Sequence, residues 1–526
     1  MKKSKFIRCT AFILATILLL GLIGCNKTED PQSTENRTDS PSFIETKETE
    51  PFPTTRLFHD HGPCGICNID FEGETVSVLA ADTFSIKREW GKESSEDEID
   101  ESVAIRNREV SETLNIVMNV EFIPYTDNYA TVFTDKIKND VDSGLHEYDV
   151  SANIASLSSS AIIRGYAANL GNVEIFPYFD FDLPCWNRSI VKNTIVDRQL
   201  YYIVGDINLS VYDATAVIWH NHDLYREIRE PYDPEYFQQT VLFDEQRTPV
   251  WTVWSYDELY KWSTRAYSDQ NLTVFAADTS QTTIANALIY SSELDIVVEI
   301  DDGIHQFYLN EHTKSGEFIQ KVRSILSSSR SCADATAIDF ANGNLLFYMS
   351  ELCPDKDGNI AIREMDGIPC ILPIPEYDPD RIYQTSSNID RHSITFALDH
   401  SKSEIRTKGE ATSALLELLT EETYVSVRGY YFNRIIKPKV FGASDGVNAH
   451  TITQSYSMQI FDMIIDGITF DYCNVYSSQF NDLHYLWKNV FLPDSELTLE
   501  DVYNEKAEEY DQALKELDIW FGLITN

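Results

Sequence analysis

Between residues 74 and 170 the chain alternates three times between strand-type and helix-type patterning, and this alternation constrains the fold more than any other feature. Residues 74–81 (ETVSVLAA) read as a first strand. Residues 98–114 set Ile99, Val103, Ile105, Val110 and Leu114 along one helix. A second strand is expected over 119–125 (NVEFIPY). A helix follows over 127–141 with Asp127 as N-cap, then a third short strand from Tyr148 and a third helix over 156–170. Strands and helices in such succession build a parallel sheet covered by helices.

The next organising stretch is residues 205–266. After a strand expected over 200–204 (LYYIV), residues 211–219 form a mostly apolar run rich in β-branched and aromatic residues, the composition of a buried strand. Ser255-Tyr256-Asp257-Glu258 is a capping box, in which the Ser255 hydroxyl and the Glu258 carboxylate satisfy orphan N–H groups. Leu259, Trp262 and Ala266 follow on one helix face. Further helices are expected over 256–267, 282–290, 313–327, 402–419, 454–465 and 499–521, the last opened by a Thr498/Asp501 box, with a strand over 393–397. No internal repeat is present, which argues against solenoids and propellers.

The chain's 526 residues suffice for two or three domains, and 43% hydrophobic content supports a large core. A formal charge of −42 repels nucleic acid and anionic membrane surface. The N-terminus has the order of a targeting segment: Lys2, Lys3, Lys5 and Arg8, then an apolar run over 11–20 too short to span a bilayer. It ends in Leu22-Ile23-Gly24-Cys25, which resembles the bacterial lipobox and implies cleavage after residue 24 and a lipid on Cys25. Membrane contact is then expected through that anchor alone. Residues 25–57, rich in Thr, Ser, Glu, Asp and Pro, read as a flexible tether.

Setting aside Cys9 and Cys25, the remaining cysteines are odd in number and scattered, unlike a disulfide framework. His59, His61, Cys64 and Cys67 lie within nine residues, a spacing open to zinc, a local disulfide or free thiols. His220 and His222 flank Asn221 at a strand end and read as a surface pair. The chain lacks Gly-x-Ser-x-Gly, Gly-x-x-x-x-Gly-Lys, His-Glu-x-x-His and Gly-x-Gly-x-x-Gly. With 84 acidic residues, a carboxylate pair carries no catalytic signal. No catalytic residue, cofactor or metal ligand is therefore assigned, and a binding protein is expected rather than an enzyme.

Residues 216–224 (AVIWHNHDL) and 254–259 (WSYDEL), in this order downstream of a lipobox, resemble two motifs of the extracellular solute-binding proteins of bacterial ABC importers, carbohydrate-type family one. Arg106-Asn107-Arg108-Glu109 with Glu112, Gly144 to Val150, Phe340 with Gly343, and residues 367–375 (GIPCILPIP) match further family patterns. Cys185 stands where the family has a first tryptophan in the segment 180–189. The resemblance implies an α/β, two-lobed periplasmic-binding-protein-like fold (type II), each lobe a mainly parallel sheet with flanking helices and the ligand cleft between lobes. Its implied layout is a first lobe over 58–212, a second over 213–372, and a return over 373–526 with C-terminal helices packing on the lobes.

It also implies a monomer that captures a sugar or oligosaccharide by hinge closure and hands it to ABC permease subunits. Aromatic rings stack on sugar C–H faces, and polar side chains pair with hydroxyls. On that basis the cleft candidates are Trp186, Asp206, Tyr212, Asp213, Trp254, Tyr383, Ser386 and Asn388. The alternatives are a surface glycan hydrolase and a sensing or adhesion lipoprotein with the same fold.

Overall fold

The computed structural model describes residues 66–524 except 67, 92–97, 198, 233–253, 266–271, 279–280, 293, 295, 301–303, 310–312, 333–334, 354–359, 363, 368, 376, 378–382, 402–407, 430, 432–459 and 482. Its strands are β1 (Glu74–Asp82), β2 (Ile116–Pro124), β3 (Val150–Ile154), β4 (Ala216–Asn221), β5 (Thr273–Ala277), β6 (Val297–Glu299), β7 (His305–Phe307), β8 (Ser331–Cys332), β9 (Leu345–Glu351), β10 (Pro369–Leu372) and β11 (Ser393–Ala397). They form a four-stranded sheet in the order β11-β3-β1-β2, a five-stranded sheet in the order β10-β4-β9-β5-β8, and a β6-β7 pair.

In the first sheet β1 pairs parallel with β2 and β3, and β11 joins β3 antiparallel. β1 is central, and Val76, Val78, Leu79, Ala80 and Ala81 are fully buried, so it reads as a near-continuous apolar run. Val76, Val78 and Leu79 each contribute about 1.5–3 kcal/mol by leaving water. β2 is the edge, and its alternation leaves Val117 exposed. In the second sheet β5 runs parallel to β8 and β9, while β4 is antiparallel to both β9 and β10. β4 enters this sheet and β10 leaves it side by side, which sets their opposite directions.

The helix Glu98–Leu114 has the expected bounds, with one change of face. Ile99, Val103, Val110 and Leu114 are buried, but Ile105 is exposed and Arg106 is buried instead. The spacing 99, 103, 106, 110, 114 keeps the helical period that Ile105 breaks. Arg106 donates to the Thr423 hydroxyl at 2.6 Å and to the Glu89 carbonyl at 2.5 Å, so the intrusion is satisfied. The next helix, Tyr129–Ser143, starts two residues later than expected: Asn128, not Asp127, is the N-cap, and it makes no side-chain cap bond. The third covering helix is only Ala155–Ala161, followed by a wider turn over Ile162–Tyr166.

Two expected strands are not formed as such. Residues 200–204 make a single bridge, Ile203 to Thr395, because the Leu200 N–H is taken by the Asn169 side chain at 3.0 Å. The run from Val211 begins instead with a helical turn, Ser210–Asp213. There the Ser210 N–H is held by the Glu89 carboxylate at 2.7 Å, and the Val211 carbonyl accepts the Thr215 and Ser387 hydroxyls, so ladder pairing starts only at Ala216. The Thr498/Asp501 capping box is present as read, opening Leu499–Asn504. Ser255 caps Tyr256–Thr264 with a 3.4 Å bond from the Glu258 N–H. Among the described residues no helix is long and apolar enough to cross a membrane.

Candidate functional site

The chain passes between the two sheets at residues 214–216 and meets its own return at 385–388. The Ala216 N–H donates to the Ser386 carbonyl at 2.9 Å, and the Asn388 N–H to the Ala214 carbonyl at 3.0 Å. Thr215 bridges Ser387, the Thr385 hydroxyl donates to the Ala216 carbonyl at 3.1 Å, and the Ser387 hydroxyl to that of Val211 at 3.0 Å. Every backbone group used here is buried, so these bonds bind two antiparallel passages into a narrow double strap.

A polar cluster sits on that strap. Half-buried Asp213 accepts the Tyr431 hydroxyl. Glu351, at the end of β9, is fully buried and accepts from the Thr283 hydroxyl at 2.9 Å, the Asn388 amide at 2.7 Å and the Arg391 guanidinium. Arg391 also reaches the Cys353 carbonyl at 2.8 Å. Burial lowers the Arg391 pKa, opposed by the Asp213 and Tyr431 charges. Burial pushes the Cys353 thiol well up, with Asp213 adding to the rise.

The helix Phe84–Trp90 ties the end of β1 to the same strap. Thr83 caps it by accepting from the Ile86 N–H at 3.2 Å, and Glu89 accepts from the Ser210 N–H and from the Ser393 hydroxyl at 2.5 Å. Burial pushes the Glu89 carboxyl up to about 7 against those bonds. The first residue, Phe84, is 64% exposed, with the Arg88 guanidinium 4.6 Å from its ring centre. Tyr125, just past β2, is 55% exposed and packs on Tyr129 at 4.9 Å. Both rings therefore stand at the carboxyl ends of parallel strands, the edge where α/β sheets bind ligands.

Of the residues singled out from the sequence, Asp213 and Asn388 come together in this cluster. Asp206 and Tyr212 pair with each other behind it: Asp206 accepts the Tyr212 hydroxyl and two 3.3 Å bonds from Arg428. Burial pushes the Asp206 carboxyl up to about 7, and Arg428 offsets this only in part. Ser386 is fully buried and serves through its backbone carbonyl. Tyr383 is buried, and its hydroxyl accepts the Ile374 N–H at 3.2 Å. Trp186 and Trp254 stand apart, each buried in its own sheet's surroundings. The Trp186 indole donates to Glu417 at 2.9 Å, and Gly205 is required beside it because a Cβ there would lie 2.6 Å from its ring. The Trp254 indole donates to the Pro373 carbonyl at 3.0 Å and packs on Phe347 at 5.4 Å.

Sequence reasoning passed over Phe84, Tyr125, Glu351, Arg391 and Tyr431. Phe84 had a local signal, a Thr83 cap directly after a strand. The others are joined only by tertiary contacts. The reading of His220 and His222 as a surface pair is corrected: His220 is 1% exposed and His222 half-buried, because both rings lie against Tyr225 and His220 also stacks on Phe347. Cys25 and the group His59, His61, Cys64 and Cys67 lie outside the described residues.

No family model and no curated protein matches the chain. Solved structures do match over most of its length. The sugar-binding protein MalE from Xanthomonas citri aligns over 85% of this chain and 99% of its own, with a TM-score of 0.53 and 12% identity. The galacto-N-biose/lacto-N-biose I-binding protein of the ABC transporter from Bifidobacterium longum, in complex with lacto-N-biose, covers 87% and 100% with a TM-score of 0.52 and 10% identity. An uncharacterized protein from Listeria monocytogenes covers 84% and 100% with a TM-score of 0.52 and 12% identity. The chain has the two-lobed, periplasmic-binding-protein-like α/β fold of these molecules.

Proposed function

We propose that this protein is a lipid-anchored extracellular solute-binding protein that captures a sugar or oligosaccharide between its lobes and delivers it to an ABC importer. The observation that carries the reading is the double strap at 214–216 and 385–388 with Asp213, Asn388 and Arg391 gathered on it, because a hinge built this way places polar groups where both lobes meet a ligand. Exposed Phe84 and Tyr125 supply aromatic faces for sugar C–H surfaces. The sugar-binding function named for the Xanthomonas and Bifidobacterium proteins points to the same ligand class. The lobes divide near residues 212 and 372, and the tether from Cys25 to residue 57 keeps the body close to the membrane.

Closure needs a ligand that touches both lobes. Turning a 1:99 closed-to-open mixture into 99:1 takes about 5.5 kcal/mol of differential binding. The test is a thermal-shift screen of the full chain against mono- and oligosaccharides, with the sugar recovered and weighed by mass spectrometry. A ligand at 100 times its Kd adds about 2.7 kcal/mol of stability. A shift with intact sugar is expected. A shift with cleaved sugar assigns hydrolysis instead, and no shift with any saccharide removes sugar as the ligand.

A further inference from the structure

Four residues beyond the strap, roughly 13 Å along β4, lies a group of side chains that the binding cycle does not use. Cys370 on β10 is directly opposite His220 on β4 in an antiparallel pair. Side chains opposed in this way project from the same face of the sheet. His222, two residues on, is the first residue of the helix His222–Tyr232. One ligand atom from each of the three lies within 4.8 Å of the others, the one such group of His, Cys, Asp or Glu among the described residues.

We propose that His220, His222 and Cys370 form a binding site for a thiophilic divalent ion, zinc in the first place. Imidazole nitrogens and a thiolate are the donor set zinc takes, at about 2.0–2.1 Å and 2.3 Å, which sets the donors roughly 3.5 Å apart in a tetrahedron. The donors, all within 4.8 Å of one another, therefore need to draw together by at most about 1.3 Å. His220 and Cys370 are 1% and 5% exposed, while His222 is half-buried and leaves a way in for the ion. The walls are aromatic: Phe347 stacks on His220 at 5.4 Å, and Tyr225 lies 5.4 Å from His220 and 6.3 Å from His222, with Trp262 behind it at 5.7 Å. This low-dielectric wall strengthens a charged metal–thiolate bond once formed.

Binding proceeds as Zn²⁺ plus the Cys370 thiol giving zinc thiolate and one released proton, with water in the fourth position. Affinity therefore rises with pH. The ion ties the start of the helix to β4 and to β10, which stands at the edge of the sheet and leads into the return passage. It braces the second lobe where the hinge leaves it, and it is a stabilising site distinct from the saccharide site.

The experiment is a cobalt titration of the chelator-treated full chain. One equivalent of Co²⁺ should give a near-ultraviolet thiolate charge-transfer band and tetrahedral visible bands, displaced by zinc. Cys370→Ser should abolish the charge-transfer band, and His222→Ala should weaken binding at least tenfold. A Cys64→Ser/Cys67→Ser variant should keep the bands, which separates this site from the N-terminal His/Cys group. No band at stoichiometric cobalt overturns the proposal, as does a band intact in Cys370→Ser or lost in the Cys64/Cys67 variant. Should Cys370→Ser not fold, His222→Ala decides: unchanged affinity overturns the site.

Discussion

Two acid–tyrosine–arginine groups lie seven residues apart in the chain and teach opposite lessons. Asp206 is buried with Tyr212 and Arg428, and Arg428 makes a second bond at 2.6 Å to Asp462. Asp213 is half-buried, holds Tyr431, and lies in the field of Arg391. The chemistry is the same and the solvent differs. Removing a charge from water costs several kcal/mol, returned only by partners already in place. The Asp206 group spends its bonding capacity inside the protein. The Asp213 group sits on the strap with part of its surface still in contact with solvent.

This contrast orders the expected mutational effects. The largest belongs to Asp206→Ala. Arg428 keeps Asp462 but loses its bonds to Asp206, which should cost about 1.5–3 kcal/mol in urea unfolding. Asp213→Ala should cost only about 1 kcal/mol, the net worth of one hydrogen bond. Equal losses at both positions would erase the distinction between the two groups.

The next effect is on pH. Burial pushes the Glu417 carboxyl from an ordinary 4.5 up to about 8, although the Asp180 N–H and the Trp186 indole donate to it. Asp206 and Glu89 are raised to about 7 in the same way. A carboxyl raised in the folded state binds its proton more tightly there than when unfolded. Its contribution is fully present below pH 4.5 and is lost as pH rises through about 8. Buried His392 acts in the opposite sense: burial holds its pKa near 3 against an ordinary 6.5, so its contribution is lost as pH falls below 6.5. Unfolding free energy should therefore rise from pH 8.5 to about 6.5 with a slope of up to about 1.4 kcal/mol per unit per group. Glu417→Gln, which keeps the acceptor for Trp186, should flatten that rise. An unchanged slope in the variant would show that Glu417 does not titrate in this range.

Much of this fold could be read from the sequence, and the reason is local. The bounds of Glu98–Leu114, the start of β1 and the Thr498 box follow from periodicity and capping chemistry, which act over a few residues. The departures arose where a distant group competed for the backbone. The Glu89 carboxylate, more than a hundred residues from Ser210, turned the start of an expected strand into a helical turn. That Asp213 and Asn388 lie on the strap was legible because they flank a crossing. Arg391 and Glu351 were not, since neither carries a local pattern and their meeting depends on where β9 ends. The burial of Trp186 and Trp254 was not legible for a related reason. A large ring with one polar atom suits a sugar and suits a core equally, and composition cannot separate the two roles.

A third effect tests the ligand side of the comparison. Asp213→Asn keeps the shape and an acceptor for Tyr431 but removes the charge. Saccharide affinity measured by calorimetry should fall about 10- to 100-fold, the 1.5–3 kcal/mol of a charged hydrogen bond. Asp206→Asn, assayed where it remains folded, should change affinity less than threefold. The reverse ranking would move the binding site off the strap and behind it.

The smallest effect concerns the exposed rings. Phe84 is the most exposed of the large hydrophobic side chains that stand at a strand's carboxyl end, and its Arg88 neighbour already covers one face. Phe84→Ala should leave unfolding within about 0.5 kcal/mol of the parent, because little is buried there. Aromatic contact is worth about 0.5–1.5 kcal/mol, so saccharide affinity should drop roughly two- to tenfold, and Phe84→Tyr should restore it. A ring kept at the surface for binding behaves this way. If Phe84→Ala instead lowers stability and leaves affinity unchanged, the ring belongs with Trp186 and Trp254 as packing, and the aromatic platform for the sugar must be sought at Tyr125.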